Sequence, residues 1–166
     1  MTMTSQFSGG HPGIRPSGVR DTRPRSVLFL CGRNSIRSPL AEALAKHMLP
    51  RSIFIASAGV RKGPRDPFVD SVLAEENLAL ENWVPRRLEE LEDTFFDLIV
   101  TLAPEAHHAA LELTRTMPVE VEYWPTLDPS AVEGTRDQIM AAYRDVRNAI
   151  AVQIAERFGL AFTDET

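Results

Sequence analysis

The sequence predicts an α/β protein: a three-layer, doubly wound, four-stranded parallel sheet with helices on both faces. Two observations carry this expectation. Four short apolar runs alternate with four stretches whose apolar residues recur at helical spacing, and such alternation calls for a parallel sheet covered on both sides. The 166 residues suit one domain with a sizeable core, and no internal repeat divides them.

Each element has its own signal. Val27, Leu28, Phe29 and Leu30 form an uninterrupted apolar run, which predicts a buried strand over 26–30. A loop over 31–38 follows, then a helix to Leu49, with Ser38 expected as its cap, Pro39 in its first turn and Glu42 complementing its dipole. A second strand is expected over 52–56, leading into Ser57, Ala58 and Gly59. Asp66 and Pro67 open a helix expected to reach Leu78, with Asp66 as its cap, and a short helix is expected over 88–92. The third strand covers 97–102 and the third helix 103–115. The fourth strand, 119–124, alternates polar and apolar residues and so belongs at an edge. Ile139, Tyr143, Val146, Ile150, Ile154 and Phe158 then mark one face of a long final helix.

Composition excludes some classes of function. The apolar and charged fractions, 43% and 25%, are those of an ordinary globular protein. A net charge of -5 gives no reason to expect nucleic acid. No apolar run approaches membrane-spanning length, residues 1–25 lack the apolar core of a signal peptide, and a single cysteine allows no internal disulfide. The expectation is a cytoplasmic protein with no membrane partner. Residues 1–25, rich in Ser, Gly, Pro and Arg, read as a disordered tail before a domain over 26–166. That tail holds four of the 18 basic residues and one of the 23 acidic ones, so the domain carries 14 basic against 22 acidic. A basic cluster inside it therefore needs a local reason.

Cys31 to Ser38 supplies one. In such sheets the active crevice lies off the carboxyl ends of the strands, where 31–38, 57–59 and 124–129 all emerge. Backbone N–H groups of a tight loop converge on an anion, and the helix start adds positive potential. Arg37 offers a fork for two phosphate oxygens. The same surroundings suit Cys31 as a nucleophilic thiolate, with the Ser38 hydroxyl donating to its sulfur. Asn34 tolerates a left-handed backbone. Asp128, before Pro129 and after the last strand, is the expected general acid for a leaving oxygen and then the base for water. His107 and His108 lack partners at ligand spacing and read as surface residues, and Trp124 as strand-end packing.

Val27 to Cys31, Asn34, Arg37-Ser38-Pro39 and Ala41-Glu42 resemble the signature of low-molecular-weight protein tyrosine phosphatases, which related thioredoxin-coupled arsenate reductases share. Ser57-Ala58-Gly59, Trp124 with Asp128-Pro129, and Tyr143 to Arg147 fall where that family has counterparts, so the likeness spans roughly residues 26–160. It implies a cysteinyl-phosphate on Cys31, oxyanion binding by Arg37 and by the loop Gly32, Arg33, Asn34, Ser35, Ile36 and Ser38, acid–base work by Asp128, and no metal or other cofactor. The implied substrate is a phosphorylated protein, phosphotyrosine first, or a small phosphomonoester. Protein-arginine phosphatase is the first alternative, since that branch has a threonine at the position of Ser35. The second is a single-cysteine arsenate reductase using an external thiol, and a weakly catalytic phosphate-binding module is a third.

The chain also departs from the family. Arg33 stands where glycine is usual, and is strained if the position needs positive φ; otherwise it lies at the pocket mouth. Ile36 replaces a second cysteine that many members carry. Ser130 and Ala131 replace aromatic residues, and Trp83 aligns with a histidine that buttresses the loop asparagine.

Overall fold

A computed structural model describes residues 23–92 and 95–160. The expected tail therefore lies, up to residue 22, outside the described residues, as do 93–94 and 161–166. In chain order the elements are β1 (Ser26–Cys31), α1 (Arg37–Met48), β2 (Phe54–Gly59), α2 (Pro67–Ala74), a 3₁₀ turn (Leu88–Glu90), β3 (Leu98–Thr101), α3 (Pro104–Leu113), β4 (Glu120–Tyr123), a second 3₁₀ turn (Pro129–Ala131) and α4 (Arg136–Arg157). The strands form one sheet in the order β2-β1-β3-β4, all parallel. The fold class is the one expected from the sequence, and β4 lies at the edge.

Alternation along β1 divides the core. Val27, Phe29 and Cys31 face a layer made with α1, α2 and α4, including Leu40, Leu73, Ile150 and Ile154. Leu28 and Leu30 face the opposite side, where Ala106 and Ala110 of α3 pack with Ile99 and Phe96. Both faces of the central strands are dry, so their run reads as continuously apolar. Trp124 is buried at the end of β4 with its ring 6.0 Å from that of Phe29.

Three local expectations are corrected. Ser38 does not cap α1: Ile36 occupies the cap position without a side-chain bond, and Ser38 lies inside the first turn. Glu42 is buried, so it cannot act as a solvated first-turn charge. Helix α2 stops at Ala74 because Asn77 turns left-handed (φ 59°) and the Leu78 N–H returns to the Leu73 carbonyl at 2.9 Å. Asp66 caps α2 as expected, accepting the Phe68 N–H at 2.8 Å.

Cys31 is the last residue of β1, in register with Gly59 of β2. Beyond that pair the two chains stay together as a short ladder. Val60 N–H donates to the Cys31 carbonyl at 3.0 Å, Arg61 to Gly32 at 2.7 Å, and Gly63 to Arg33 at 2.9 Å. Gly59 permits this approach. A Cβ there would sit 2.6 Å from both the Arg33 carbonyl carbon and the Asn34 nitrogen. Gly59→Ala should therefore lower the stability by about 1–3 kcal/mol, read as a lower urea midpoint at unchanged slope. An unchanged midpoint would show that the loop does not depend on this contact.

Candidate active site

The loop from Gly32 to Ile36 turns the chain from β1 into α1, and Asn34 makes the turn. Its backbone is left-handed (φ 56°), whereas Arg33 is not among the described residues with positive φ. Of the two alternatives for Arg33, strain is therefore absent and the residue lines the cavity, while the residue type suited to the left-handed conformation occupies it.

All the polar atoms of the Asn34 side chain are engaged. Nδ2 donates to Ser38 Oγ at 2.9 Å and to Ser57 Oγ at 3.0 Å, while Oδ1 accepts the Arg86 N–H at 2.9 Å. These bonds fix the orientation of the amide. Ser57 in turn donates to Glu42 Oε1, which also accepts from Trp83 Nε1 at 3.1 Å, and Lys46 Nζ pairs with Oε2 at 2.6 Å. The expected contact of Trp83 with the loop asparagine is therefore corrected. Trp83 acts on Glu42, and Ser57 and the Arg86 backbone hold Asn34.

The direction of every proton in this chain follows from its ends. Glu42 takes the Ser57 proton, so Ser57 can only accept from Asn34, and the second Asn34 N–H fills a lone pair of Ser38. The Ser38 proton is then left for the Ala58 carbonyl at 3.3 Å or for Cys31 Sγ at 2.8 Å. When the sulfur is a thiolate, Ser38 donates to it. Cys31 itself is 2% exposed.

Arg37, Asp128 and the loop meet over one cavity of about 600 Å³, lined by Cys31, Gly32, Arg33, Ser35, Ile36, Arg37, Asp128 and Ser130. Asn34 and Ser38 stand behind this surface, both fully buried. Arg37 is steadied by the Thr126 carbonyl at 3.1 Å and lies 3.9 Å from Asp128. Asp128 caps the second 3₁₀ turn, accepting the Ser130 N–H at 2.9 Å and the Ser130 hydroxyl at 2.6 Å. Partial burial pushes its carboxyl up, but the Ser130 bonds and the nearby Arg37 and Arg33 charges outweigh that, and the net shift is downward. Ser130, one of the departures noted in the sequence, thus helps hold Asp128 in its charged form.

The cavity also holds residues that the sequence did not single out for the site. Pro64, Arg65, Asp66, Pro67 and Phe68 come from the segment leading into α2, Glu105 from the first turn of α3, and Tyr143 from α4. Tyr143 donates to Asp66 Oδ2 at 2.7 Å and its ring lies 5.1 Å from that of Phe68. Burial, the Asp66 bond and the Asp66 and Asp128 charges raise the Tyr143 phenol, so it stays a neutral donor. Glu105 pairs with Arg61 at 3.2 Å, and its carboxylate stands where a side chain at Gly32 would go. Two signals existed for Tyr143: it falls on the apolar face of the last helix, and Tyr143 to Arg147 match a counterpart in the family resembled. His107 is half-buried, bonded to Thr101 Oγ1 at 3.0 Å and stacked on Tyr123. His108 is exposed.

A family model described as low molecular weight phosphotyrosine protein phosphatase matches residues 26–153. The arsenate reductase of Bacillus subtilis (strain 168) is 30% identical over 131 residues, covering 78% of this chain and 92% of that protein. The low molecular weight protein-tyrosine-phosphatase Wzb of Salmonella typhi is 40% identical over 89 residues, covering 51% of this chain and 58% of that one. The YwlE arginine phosphatase from Geobacillus stearothermophilus shares the fold, with a TM-score of 0.67 at 18% identity over 82% of this chain and 94% of that one.

The Asn34 arrangement yields a paired expectation. Asn34→Ala strands the Arg86 N–H and places a Cβ residue without local hydrogen bonding in the left-handed region, and should cost about 2–4 kcal/mol. Asn34→Gly loses the same bonds but not the backbone preference, so it should be more stable than the alanine variant by about 1 kcal/mol. Chemical denaturation of both variants checks the order.

Proposed function

The chain belongs to the low molecular weight phosphotyrosine protein phosphatase family, and we propose that it hydrolyses phosphomonoesters, protein phosphotyrosine first, through a cysteinyl-phosphate on Cys31. The observation that carries the reading is the polarised chain from Glu42 to Ser38, which ends in a hydroxyl aimed at the only cysteine.

The phosphoryl group enters the loop with its oxygens on the backbone amides of 32–37 and on the Arg37 fork. The Cys31 thiolate attacks phosphorus, the bond to the leaving oxygen breaks, and Asp128 gives that oxygen its proton. Water then attacks the cysteinyl-phosphate as Asp128 takes a proton from it, releasing inorganic phosphate and the thiolate. Ser38 donates to the sulfur in both steps, when it carries charge as nucleophile and as leaving group.

Asp128 must enter protonated, yet in the free enzyme its partners favour the carboxylate. A phosphate dianion beside it supplies the opposing charge and raises it on binding. The leaving group lies toward Phe68, Tyr143, Pro64 and Pro67, an apolar side of the cavity suited to an aryl ring. A second reading, phosphoarginine, is favoured by the Glu105 carboxylate, which would pair with a guanidinium, and by the Ser35 hydroxyl in the loop. Reduction of arsenate would need a thiol from outside, because Cys31 is the only cysteine.

Purified protein should turn over p-nitrophenyl phosphate and phosphotyrosine peptide. Cys31→Ser should abolish this and Asp128→Ala should slow kcat by about 10²–10⁴-fold. Faster turnover of phosphoarginine than of phosphotyrosine would select the second reading, and full activity in Cys31→Ser would overturn both. Ser130→Ala removes a bond that favours the charged form of Asp128. Its alkaline limb in the pH profile of kcat/KM should therefore move to higher pH, and a limb that stays in place or moves down would remove Ser130 from the tuning of the acid.

A further inference from the structure

Four arginines line the cavity, and three are committed. Arg65 donates to Asp70 at 3.1 and 2.8 Å and to the Trp83 and Leu80 carbonyls at 2.7 Å each. Arg61 is paired with Glu105, and Arg37 is held by Thr126 and Asp128. Arg33 differs. It is exposed, and among the described residues its guanidinium has no hydrogen-bonded or ion-paired partner.

Arg33 is nevertheless not a loose surface cation. Its carbonyl accepts the Gly63 N–H, and its stem lies on Gly63: a Cβ there would come within 3.1 Å of Arg33 Cβ and 3.2 Å of Cδ. Asn34, next in sequence, fixes the backbone that follows. The side chain is thus anchored at its base and free at its tip, two residues from the nucleophile and on the rim of the same cavity. Solvent carries the guanidinium at this rim, so it is available to a further anionic group that enters the cavity.

We propose that Arg33 is a specificity-determining residue that binds a carboxylate on a residue adjacent to the phosphorylated one, so that the enzyme prefers acidic phosphoprotein segments. The inference rests on the phosphatase reading above. The phosphoryl group itself takes Arg37 and the loop amides, leaving Arg33 for a second anionic group of the substrate. Neighbouring residues of an extended peptide lie only about 3.8 Å apart at Cα, within the span of an arginine side chain. The contact is at a solvated rim, so its effect is modest and screened by salt.

The test measures kcat/KM on phosphotyrosine peptides carrying Glu, Gln or Lys on both sides of the phosphotyrosine. Wild type, Arg33→Gln and Arg33→Glu are compared, with p-nitrophenyl phosphate as a measure of the chemistry alone. The readout is the ratio between peptides within each variant, which a general loss of activity does not alter. Wild type should prefer Glu over Gln by about threefold to fivefold at low salt, and the preference should fade toward unity near about 0.5 M salt. Arg33→Gln should bring the ratio to about one, and Arg33→Glu should favour Lys peptides. A Glu preference that survives in Arg33→Gln, or its absence in wild type while all peptides are turned over, overturns the assignment and leaves the phosphatase intact. Failure of wild type to hydrolyse any of these substrates overturns the phosphatase reading and this inference with it.

Discussion

The structure around Cys31 depends on one amide. Asn34 must be left-handed for the chain to leave β1 and enter α1 within five residues, and the same residue must present both its N–H groups to serine hydroxyls. Either demand alone could be met by other residues: glycine satisfies the first, glutamine the second from a different backbone. Asparagine meets both because its short side chain reaches back across its own turn. The Arg86 N–H on Oδ1 then excludes the flipped amide, in which an N–H would face an N–H.

That single orientation ties two distant segments to the loop. Ser57 belongs to β2 and Glu42 to α1, and both are buried. A buried carboxylate is costly without partners; Glu42 has three, from Ser57, Trp83 and Lys46. It acts as a fixed terminus that decides which way the hydroxyls point. Ser38, instead of capping α1, is drawn into this chain, and α1 starts without a side-chain cap. The orphan amides of the helix start and loop are left available for an anion, which is what a phosphate cradle requires.

The strands, their parallel order, the left-handed turn at Asn34 and the gathering of Cys31, Arg37 and Asp128 at one cavity were legible because each rests on local pattern: an apolar run, a loop at its end, a cap-like Asp-Pro. The distribution of helices over both faces followed from the same alternation. What could not be read was the far side of the cavity. Phe68, Glu105 and Tyr143 come from three helices that meet only through the tertiary fold; no local pattern marks Phe68 or Glu105, and Tyr143 read as a position on the apolar face of its helix. The Ser38 cap failed for a related reason. Capping is the local preference of a serine at a helix start, and a tertiary partner, the Cys31 sulfur, outcompeted it. Trp83 was placed in the right neighbourhood and on the wrong partner, since one turn of loop decides between Asn34 and Glu42.

Asp128 and Arg33 together show how charge is divided at the mouth. In the proposed mechanism Asp128 needs its proton at the moment of bond cleavage, yet Ser130, Arg37 and Arg33 all favour the carboxylate. The opposition is resolved by the substrate. A phosphate dianion takes the Arg37 field for itself, and a neighbouring carboxylate on Arg33 would take the other. Each anion that binds removes a stabilising cation from Asp128 and adds a repelling charge, and both changes favour protonation. On the proposed mechanism, then, occupancy of the site arms Asp128. An acidic segment would then act twice, in affinity through Arg33 and in the proton transfer through the loss of Arg33 from the surroundings of Asp128.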